Sequence, residues 1–474
     1  MLIREGEAPA EPKMPAWMRL GGSLALPADP PKNHTLVTHP LHILFLTDNF
    51  PPEYNAPANR TFEHCREWVR AGHRVTIITC APNFPTGRPF PGYRNRLWQR
   101  ETMAGIHVVR VWTYMAPNAG FARRVFDYLS FLPGAVIASW FIRRVDVVVG
   151  TSPQFFTVCA AWLAATFKRV PWIFEVRDLW PESIRAVGAM GGGVGRGIEG
   201  RGVEGDSRAI RALARLARFL YRRAHRVVVL THAFKENLVG QGVASAKIDV
   251  VTNGVDLSRF QPRPKEAALV EELGLRGCFV AGYIGTHGMA HGLSTLLDAA
   301  ALLDKDPGAG DIRLLFLGDG ARKAKLMAET QVRGLDNVLF LAPVERAEIP
   351  RYWSLLDVAV IHLRRSDLFE TVIPSKLFEC MAMGIPVVHG VRGESADIVR
   401  GERIGQLFEP EHAPGLAAAL VRMRDNRAGA RRIGDGIDYG ELRENCLAAA
   451  KRYDRKRLAL QMLEGIEQVV NIRE

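Results

Sequence analysis

Short apolar runs alternate with longer segments of helical periodicity along most of the chain. Because these runs lack regular polar alternation, they are typical of parallel strands buried on both faces. They lie at 41–47, 75–80, 106–112, 145–150, 172–176 and 227–231, and again at 248–252, 279–284, 313–317, 338–341, 358–362 and 386–389. Helical segments between them include 61–71, 208–224, 293–303, 321–330 and 414–424. This order predicts right-handed βαβ units, and therefore an α/β chain with two serial, doubly wound Rossmann-like domains.

The pattern also places the domain boundaries. Residues 1–40 are rich in proline and show no sustained periodicity, so we expect a disordered extension there. The first α/β domain is expected at 41–232 and the second at 233–442. The first contains a flexible insertion at 190–207, where eight residues are glycine. The final segment, 443–474, is expected to form one long helix that crosses back to the first domain.

One apolar segment, at 121–144, suggests a contact outside the core. Arginine pairs stand at both of its ends, and Pro133 interrupts an apolar and aromatic middle. Two interpretations remain open: an element that lies on a membrane surface or binds a partner, and a buried helical hairpin packed on the sheet. The chain has no run of 18 continuously apolar residues, so no spanning helix is expected.

Composition narrows the function classes only partly. The chain has 474 residues, with 62 Lys and Arg against 50 Asp and Glu, which gives a net charge of +12. Such a charge suits nucleic acid, anionic lipid or phosphorylated substrates, and it also suits a merely basic surface. The six cysteines are scattered without a CxxC pair, which argues against a disulfide framework and a zinc site and favours a reducing cytoplasm.

The stretch 369–389, FETVIPSKLFECMAMGIPVVH, carries the clearest chemistry. Pro374 suits the first position of a helix, and Gly384 suits a left-handed cap at its end. Lys376 in the first turn opposes the helix dipole unless an anion binds there. Glu379, one turn further, could accept hydrogen bonds from two vicinal hydroxyls. Phosphate beside a diol indicates a nucleotide, whereas the alternative is a surface helix with a spaced Lys376–Glu379 ion pair.

Two glycine-rich turns and one acidic turn follow predicted strands. The first glycine loop, at 285–292, reads GTHGMAHG, and Gly318 and Gly320 follow the strand at 313–317. Glycines at these points let the backbone approach a ligand closely, at the strand ends where open α/β sheets bind ligands. Neither spacing matches GxGxxG or a Walker loop. Asp178, after the strand at 172–176, could orient or deprotonate an acceptor hydroxyl, or it could cap the following turn.

Taken together, these segments resemble a known enzyme family. From residue 41 onwards the chain is similar to GT-B glycosyltransferases of family 4, and particularly to bacterial O-antigen enzymes of the N-acetylfucosamine transferase type. The resemblance is carried by FPPE, AGHRVTIIT, PNFPTG with GYRNRLWQRE, RDLWPES, VVTNGVDLSRFQP, the glycine loop at 285, LGDG and FETVIPSKLFECMAMGIPVV. It implies two Rossmann-like domains facing each other across a cleft, with an acceptor domain first and a nucleotide-sugar domain second. It also implies transfer with retention of anomeric configuration and no metal.

The resemblance also assigns site residues. Glu379 matches the second glutamate of the family's E-x7-E pattern, which binds the donor ribose, whereas the first falls on Thr371. The diphosphate-clamping arginine and lysine match Thr286 and His291, so that pair is absent. The donor-binding set expected here is Gly285, Gly288, Gly318, Gly320, Pro374, Ser375, Lys376, Leu377 and Glu379, and the catalytic set is Asp178, Glu370 and Lys376. Lys376, Arg364 and Arg365 are the candidates to replace the missing charge.

The expected activity is that of a metal-independent hexosyltransferase without a cofactor. Its donor would be a nucleotide diphosphate sugar, UDP-linked by expectation, whose sugar could be an N-acetylated deoxyhexose. Its acceptor would be a polyprenyl-diphosphate-linked sugar in O-antigen, lipopolysaccharide or exopolysaccharide synthesis. The enzyme would be cytoplasmic and peripheral on the inner face of the plasma membrane, in contact with anionic lipid and not with nucleic acid. The alternatives are a GT-B sugar-nucleotide epimerase and a catalytically silent sugar-nucleotide binding protein.

Overall fold

The computed structural model describes residues 39–84, 86–115, 121–180, 208–434 and 436–472. The first elements are β1 His42–Leu46, α1 Ala56–Arg70, β2 Arg74–Cys80, β3 Trp98–Met103, β4 Ile106–Val111, α2 Phe121–Phe141, β5 Val147–Thr151, α3 Phe155–Lys168, β6 Trp172–Val176, α4 Arg208–Arg223, β7 Arg226–Val229, α5 His232–Gly240 and β8 Ile248–Val250. Most of the expected extension at 1–40 lies outside the described residues, and so does all of the expected insertion at 190–207.

The second series of elements continues the alternation of strand and helix. It comprises α6 Ala267–Glu272, β9 Phe279–Ile284, α7 Ser294–Asp304, β10 Ile312–Leu317, α8 Lys323–Val332, β11 Val338–Leu341, α9 Ile349–Trp353, β12 Val358–His362, α10 Asp367–Glu370, α11 Lys376–Met383, β13 Val387–Gly390, α12 Glu394–Gly401, β14 Gly405–Leu407, α13 Ala413–Arg427, α14 Tyr439–Ala450 and α15 Arg455–Asn471.

The strands form two sheets, so the prediction of two parallel-sheet α/β domains is confirmed. The first sheet has the order β3-β4-β2-β1-β5-β6-β7-β8, and the second has the order β11-β10-β9-β12-β13-β14. The pairs in the second sheet are parallel, whereas β3 runs antiparallel to β4 in the first. The sequence pattern missed β3 because WQRETM is largely polar. The chain divides into two compact units, of which the second is Phe174–Val469 and the first comprises the residues before Phe174 together with those from Val470 onwards.

The second sheet is buried on both faces, which explains why its strands read as continuous apolar runs. Along β9, Val280 and Ile284 pack into one apolar cluster, together with helix α11. The alternate residues Phe279, Ala281 and Tyr283 pack into the other cluster, with α7 and α13. Helix α11 is therefore held against one face of this sheet by a continuous core.

Two helix boundaries differ from the sequence-based expectation. Helix α1 begins at Ala56 rather than at residue 61, because the Asn55 side chain accepts a hydrogen bond from the Ala58 N–H and Pro57 stands in the first turn. The continuous helix expected at the C-terminus is wrong, since α14 and α15 are separate. Between them the chain pairs with Val255, whose N–H donates to the Tyr453 carbonyl at 3.0 Å.

The segment at 121–144 forms one helix, α2, that continues through Pro133. The interpretation as a helical hairpin is therefore wrong, although one helical face is buried as that interpretation required. Phe131, Ala135 and Ala138 lie on the buried face. None of the helices in the described part of the chain combines the length and apolar character that crossing a bilayer requires.

Candidate functional site

Helix α11 ends at Gly384 as its sequence predicts, but it begins two residues later than the expected start at Pro374. Its first residue is Lys376, two residues after Pro374, and Gly384 closes it in the left-handed conformation with φ 64°. Leu377, Phe378 and Met381 are fully buried and fix the helix on the sheet. The Leu377 and Phe378 N–H groups donate to the carbonyls of Pro374 and Ser375, at 3.0 and 3.1 Å.

The helix start therefore has unused hydrogen-bonding capacity. Among the described residues, no acceptor is recorded for the backbone N–H groups of Ser375 and Lys376. These two groups lie at the positive end of the helix dipole, where an anion is stabilised. The geometry can bind one oxyanion through the backbone alone.

The Lys376 side chain ends in a buried amine. Its Nζ atom has no hydrogen-bond partner in the structure. It lies 3.4 Å from the centre of the Tyr283 ring, whose negative face is the principal contact for a cation here. Burial lowers the pKa of Lys376 from 10.5 to about 7, and the neighbouring Cys380 and Glu379 oppose this shift only partly. An anion next to this amine would restore the charged form.

The glycine loop lies directly against this amine. A Cβ atom built on Gly285 would stand 3.1 Å from Lys376 Nζ, and the Gly285 φ of 140° is one that favours glycine. Because residue 285 is glycine, no side chain from this position occupies the space next to the lysine amine. Gly288, further along, precedes the short turn Met289–His291 that leads into α7.

The second pair of glycines packs against the first loop. A Cβ atom on Gly318 would overlap the Gly285 carbonyl, and one on Gly320 would stand 2.6 Å from the His287 carbonyl. The His287 N–H donates to the Asp319 carbonyl at 2.8 Å, which joins the two loops. The structure therefore brings Gly285, Gly318 and Gly320 together, as expected for two loops that end neighbouring strands.

Two histidines of the first loop carry no charge at neutral pH. Burial and the nearby Lys323 and Lys376 lower the pKa of His287 to about 4. Burial and Lys376 lower the pKa of His291 to about 3. Both ring nitrogens of His287 are buried without a hydrogen-bond partner. Position 291, which matches the family's lysine, therefore supplies no positive charge here.

The other candidates for the missing charge are occupied. Arg364 Nε lies 3.3 Å from Glu411 and an Arg365 guanidinium nitrogen lies 3.5 Å from Glu409. A cavity of about 280 Å³ beside the glycine loop is lined by Gly288, Arg364 and Glu411 among others. Of the three candidates, only Lys376 has no carboxylate partner recorded.

Glu379 lies one turn after Lys376 and is partly buried. Its Oε2 accepts a hydrogen bond from the Trp353 indole N–H at 3.1 Å. Burial raises the pKa of Glu379, against the influence of Arg346, the Trp353 bond, Arg455 and Lys376. The indole fixes one carboxylate oxygen, so the other can accept a hydroxyl.

For the two predicted catalytic carboxylates, Asp178 and Glu370, the described residues record no hydrogen bond or ion pair with the glycine loops, Lys376 or Glu379. Asp178 follows β6, and burial raises its pKa to about 6 although Arg177 favours the charged form. Glu370 ends α10 and lies 3.9 Å from Arg392. Its carbonyl stands against Gly393, whose φ is 74°. Within the described residues, no group of His, Cys, Asp and Glu has the arrangement of a metal site.

Sequence reasoning missed three neighbours of the site. Tyr283 supplies the ring under the lysine, Trp353 orients Glu379, and Lys323 donates to the carbonyls of Gly318 and Leu341 at 2.8 and 2.7 Å. Lys323 comes three residues after the LGDG turn, and this closeness in sequence to a predicted ligand loop could have identified it. Tyr283 and Trp353 carried no sequence signal, since each lies in an ordinary apolar segment.

Both halves of the chain match families of glycosyltransferases. The Glycosyl transferase 4-like domain matches residues 55–254, and the Glycosyl transferases group 1 family matches residues 278–426. The chain carries the two domains of a GT-B glycosyltransferase. The helix α11, the glycine loops and Glu379 all lie in the group 1 domain.

Two glycosyltransferases are similar to this chain over most of its length. The putative colanic acid biosynthesis glycosyl transferase WcaI of Escherichia coli (strain K12) is 25% identical over 80% of this chain and 91% of its own length. The GDP-mannose-dependent alpha-mannosyltransferase of Mycolicibacterium smegmatis is also 25% identical, over 80% of this chain and 87% of its own.

Solved structures share the fold at low identity. Sucrose-phosphate synthase from Thermosynechococcus elongatus has a TM-score of 0.64 and 18% identity, over 91% of this chain and 100% of that one. Anabaena HepE, solved with UDP and glucose, has a TM-score of 0.63 and 17% identity, over 90% and 98%. These similarities confirm the predicted GT-B fold.

Proposed function

We propose that this glycosyltransferase moves a sugar from a nucleotide diphosphate sugar to a lipid-linked acceptor, with retention of configuration at the anomeric carbon. The observation that carries the proposal is the buried, unpartnered amine of Lys376 between Gly285 and the start of α11. A buried amine without an anion is costly, whereas one next to a diphosphate is a strong, charge-assisted contact. WcaI and HepE support the choice, the first by its pathway and the second by its bound UDP.

The donor would be held at three points. Its diphosphate would lie between the glycine loops, Lys376 and the N–H groups of Ser375 and Lys376. Its ribose hydroxyls would donate to the free oxygen of Glu379. Pro374 and Leu377 would position these groups by fixing the start of the helix. The family resemblance is the reason for proposing a UDP-linked donor. The sugar is proposed to be an N-acetylated deoxyhexose, and a screen of sugar nucleotides has to identify it.

Transfer would depend on stabilising the leaving group. The bond between the anomeric carbon and the β-phosphate oxygen breaks, and a bond to the acceptor hydroxyl oxygen forms on the same face. The hydroxyl proton passes to the departing phosphate oxygen, while Lys376 and the helix start stabilise the negative charge that develops there. Asp178 would orient the acceptor hydroxyl, and Glu370 or the backbone next to Thr371 would contact the donor sugar. We propose that no metal takes part.

The acceptor is proposed to be a polyprenyl-diphosphate-linked sugar in O-antigen or exopolysaccharide synthesis. Such an acceptor stays in the membrane, so the enzyme would work as a peripheral protein on its cytoplasmic face. The names of the relatives support a polysaccharide pathway, since colanic acid is one such product.

A two-stage experiment tests the proposal. A thermal-shift screen of sugar nucleotides identifies the donor, since a ligand bound only by the folded state raises its stability. Transfer to a polyprenyl diphosphate sugar is then followed by mass spectrometry. Lys376→Ala and Glu379→Ala should each lower kcat/KM at least about a hundredfold, because each removes a charged contact. Lys325→Ala and Glu444→Ala, at exposed positions of the same domain, are the matched controls.

The outcomes separate the alternatives. Activity unchanged in both site variants would contradict the proposed site. Conversion of the donor to an epimer without acceptor would indicate an epimerase, and binding without any turnover would indicate a sugar-nucleotide binding protein.

A further inference from the structure

Helix α2 has a second apolar face that the protein does not cover. Phe126, Leu129, Pro133, Ile137 and Trp140 recur at helical spacing, and all five are exposed. Ile137 is 61% and Trp140 is 69% exposed. The opposite face packs on α3, β2 and β4. A helix on the surface of a soluble domain normally has one apolar face and one polar face. An exposed second apolar face is typical of a surface that binds a partner or a membrane.

The exposed rings continue beyond α2. Phe167, near the end of α3, is 59% exposed, and its ring centre lies 6.1 Å from that of Trp140. The Phe141 ring, also exposed, meets the Trp98 ring edge-on at 5.9 Å. We call the outward residues Phe126, Leu129, Ile137, Trp140, Phe141 and Phe167 the aromatic surface.

A basic cavity adjoins the aromatic surface at Phe141. Its volume is about 730 Å³, and its lining includes Arg74, Arg100, Arg143 and Arg144. In the described part of the chain, no ion pair is recorded for the guanidinium groups of Arg74, Arg143 and Arg144. The acid in the lining, Glu101, already accepts a hydrogen bond from Arg110. The cavity therefore carries positive charge that the described residues do not neutralise.

We propose that the aromatic surface and the arginine cavity bind the face of an anionic phospholipid bilayer. Tryptophan and phenylalanine rings would enter the headgroup region, where amphipathic aromatic residues are favoured. The cavity would hold lipid phosphates, for which the planar guanidinium is well shaped. This inference rests on the proposed function for its purpose, since a lipid-linked acceptor has to be met at a membrane.

The orientation of α2 agrees with this role. The helix follows the carboxyl end of β4 and leads to the amino end of β5, so it runs along the sheet between its two edges. Arg74, at the start of β2, places the cavity at the amino edge. A bilayer bound along α2 would thus also reach the carboxyl edge, where α/β sheets bind their ligands.

Vesicle binding of the full chain tests the inference without donor or acceptor. The protein is sedimented with vesicles of phosphatidylcholine, alone or mixed with phosphatidylglycerol, and it should pellet only with the anionic vesicles. The double charge reversal Arg143→Glu with Arg144→Glu should weaken binding about thirtyfold, at about fivefold for each basic residue near the surface. Ile137→Ser with Trp140→Ser should weaken it at least about tenfold through lost apolar burial.

Matched variants make the result specific. Arg211→Glu with Arg215→Glu changes the net charge equally on the exposed face of α4, and Val332→Ser removes an apolar side chain that is 88% exposed elsewhere. Both should bind as the unmodified protein does. All substituted positions are exposed, and unchanged thermal unfolding confirms that each variant folds.

Three results would overturn the inference. The first is an absence of pelleting with anionic vesicles. The second is an equal loss in both charge-reversal pairs, which would indicate attraction by net charge. The third is binding of inorganic phosphate in the cavity without vesicle binding, which would indicate a site for a free anion. Vesicle binding that persists when no sugar transfer is found would leave this surface supported and contradict only the proposed reaction.

Discussion

Raising the pH above neutrality should weaken nucleotide binding through the loss of one proton from Lys376. Burial lowers the pKa of this amine to about 7 in the free protein. The ammonium form is the one that attracts a diphosphate, so the free protein has to take up a proton when the ligand binds. Because the bound phosphate favours the ammonium, the pKa of Lys376 in the complex should return towards 10.5.

The size of the effect follows from the two pKa values. At pH 9, only about one protein molecule in a hundred carries the ammonium when its pKa is 7. If the charged form alone binds, the apparent Kd should rise about tenfold for each pH unit above 7, and about a hundredfold by pH 9. This loss corresponds to about 2.7 kcal/mol of binding free energy at pH 9.

The groups around the amine do not titrate in the same range. Burial keeps His287 and His291 neutral, with pKa values of about 4 and 3. Burial also raises the pKa of Tyr283 and of Cys380, so both stay protonated. A slope between pH 7.5 and pH 9 can therefore be assigned to Lys376.

Isothermal titration calorimetry with UDP measures this directly. Titrations at pH 8.5 in two buffers of different ionisation enthalpy count the protons taken up, and about one per UDP is expected. Lys376→Met should bind UDP weakly at every pH, without a slope and without proton uptake. Affinity that stays constant from pH 7.5 to 9, or a slope that survives in Lys376→Met, would refute the assignment.

Three further predictions concern stability and the donor contacts. Since the folded pKa of Lys376 lies below its unfolded value, the protein should gain stability as the pH rises from 7 towards 10.5. Lys376→Met should raise the free energy of unfolding at pH 7 by about 4 kcal/mol and flatten this pH dependence in urea titrations. Glu379→Gln, which can still accept from the indole, should weaken UDP binding about tenfold or more by calorimetry, whereas Glu444→Gln should not. Gly318→Ala, with its Cβ overlapping a carbonyl of the facing loop and a φ of 138°, should lower the melting temperature and abolish UDP binding. Gly310→Ala, with open space around its Cβ, is the control, and equal melting temperatures would contradict the packing of the loops.

Much of the fold was predictable because it depends on neighbours in the chain. The βαβ order followed from apolar runs, since a strand buried on both faces has to be apolar on both. The end of α11 at Gly384, and its start within two residues of Pro374, followed from backbone preferences of these two residues. Where local signals were incomplete, the prediction failed. Pro133 does not end α2, and Asn55 starts α1 earlier than the periodicity indicated.

The break between α14 and α15 shows the limit of local reasoning. Helical periodicity continues through this region, but the chain opens so that Val255 can exchange hydrogen bonds with Tyr453 and Arg455. The Tyr453 carbonyl approaches so closely that only glycine fits at position 254. These partners are far apart in sequence, so only the folded chain brings them together.

The sequence by itself determined that a lysine and a glutamate stand one turn apart at a helix start, with glycine loops after neighbouring strands. Tertiary structure alone decided what these groups can do. Arg364 and Lys376 were both candidates in the sequence, yet folding pairs the first with Glu411 and leaves the amine of the second buried over Tyr283. The charge state of an ionisable side chain depends on its burial and on partners from distant segments, and the local sequence determines neither.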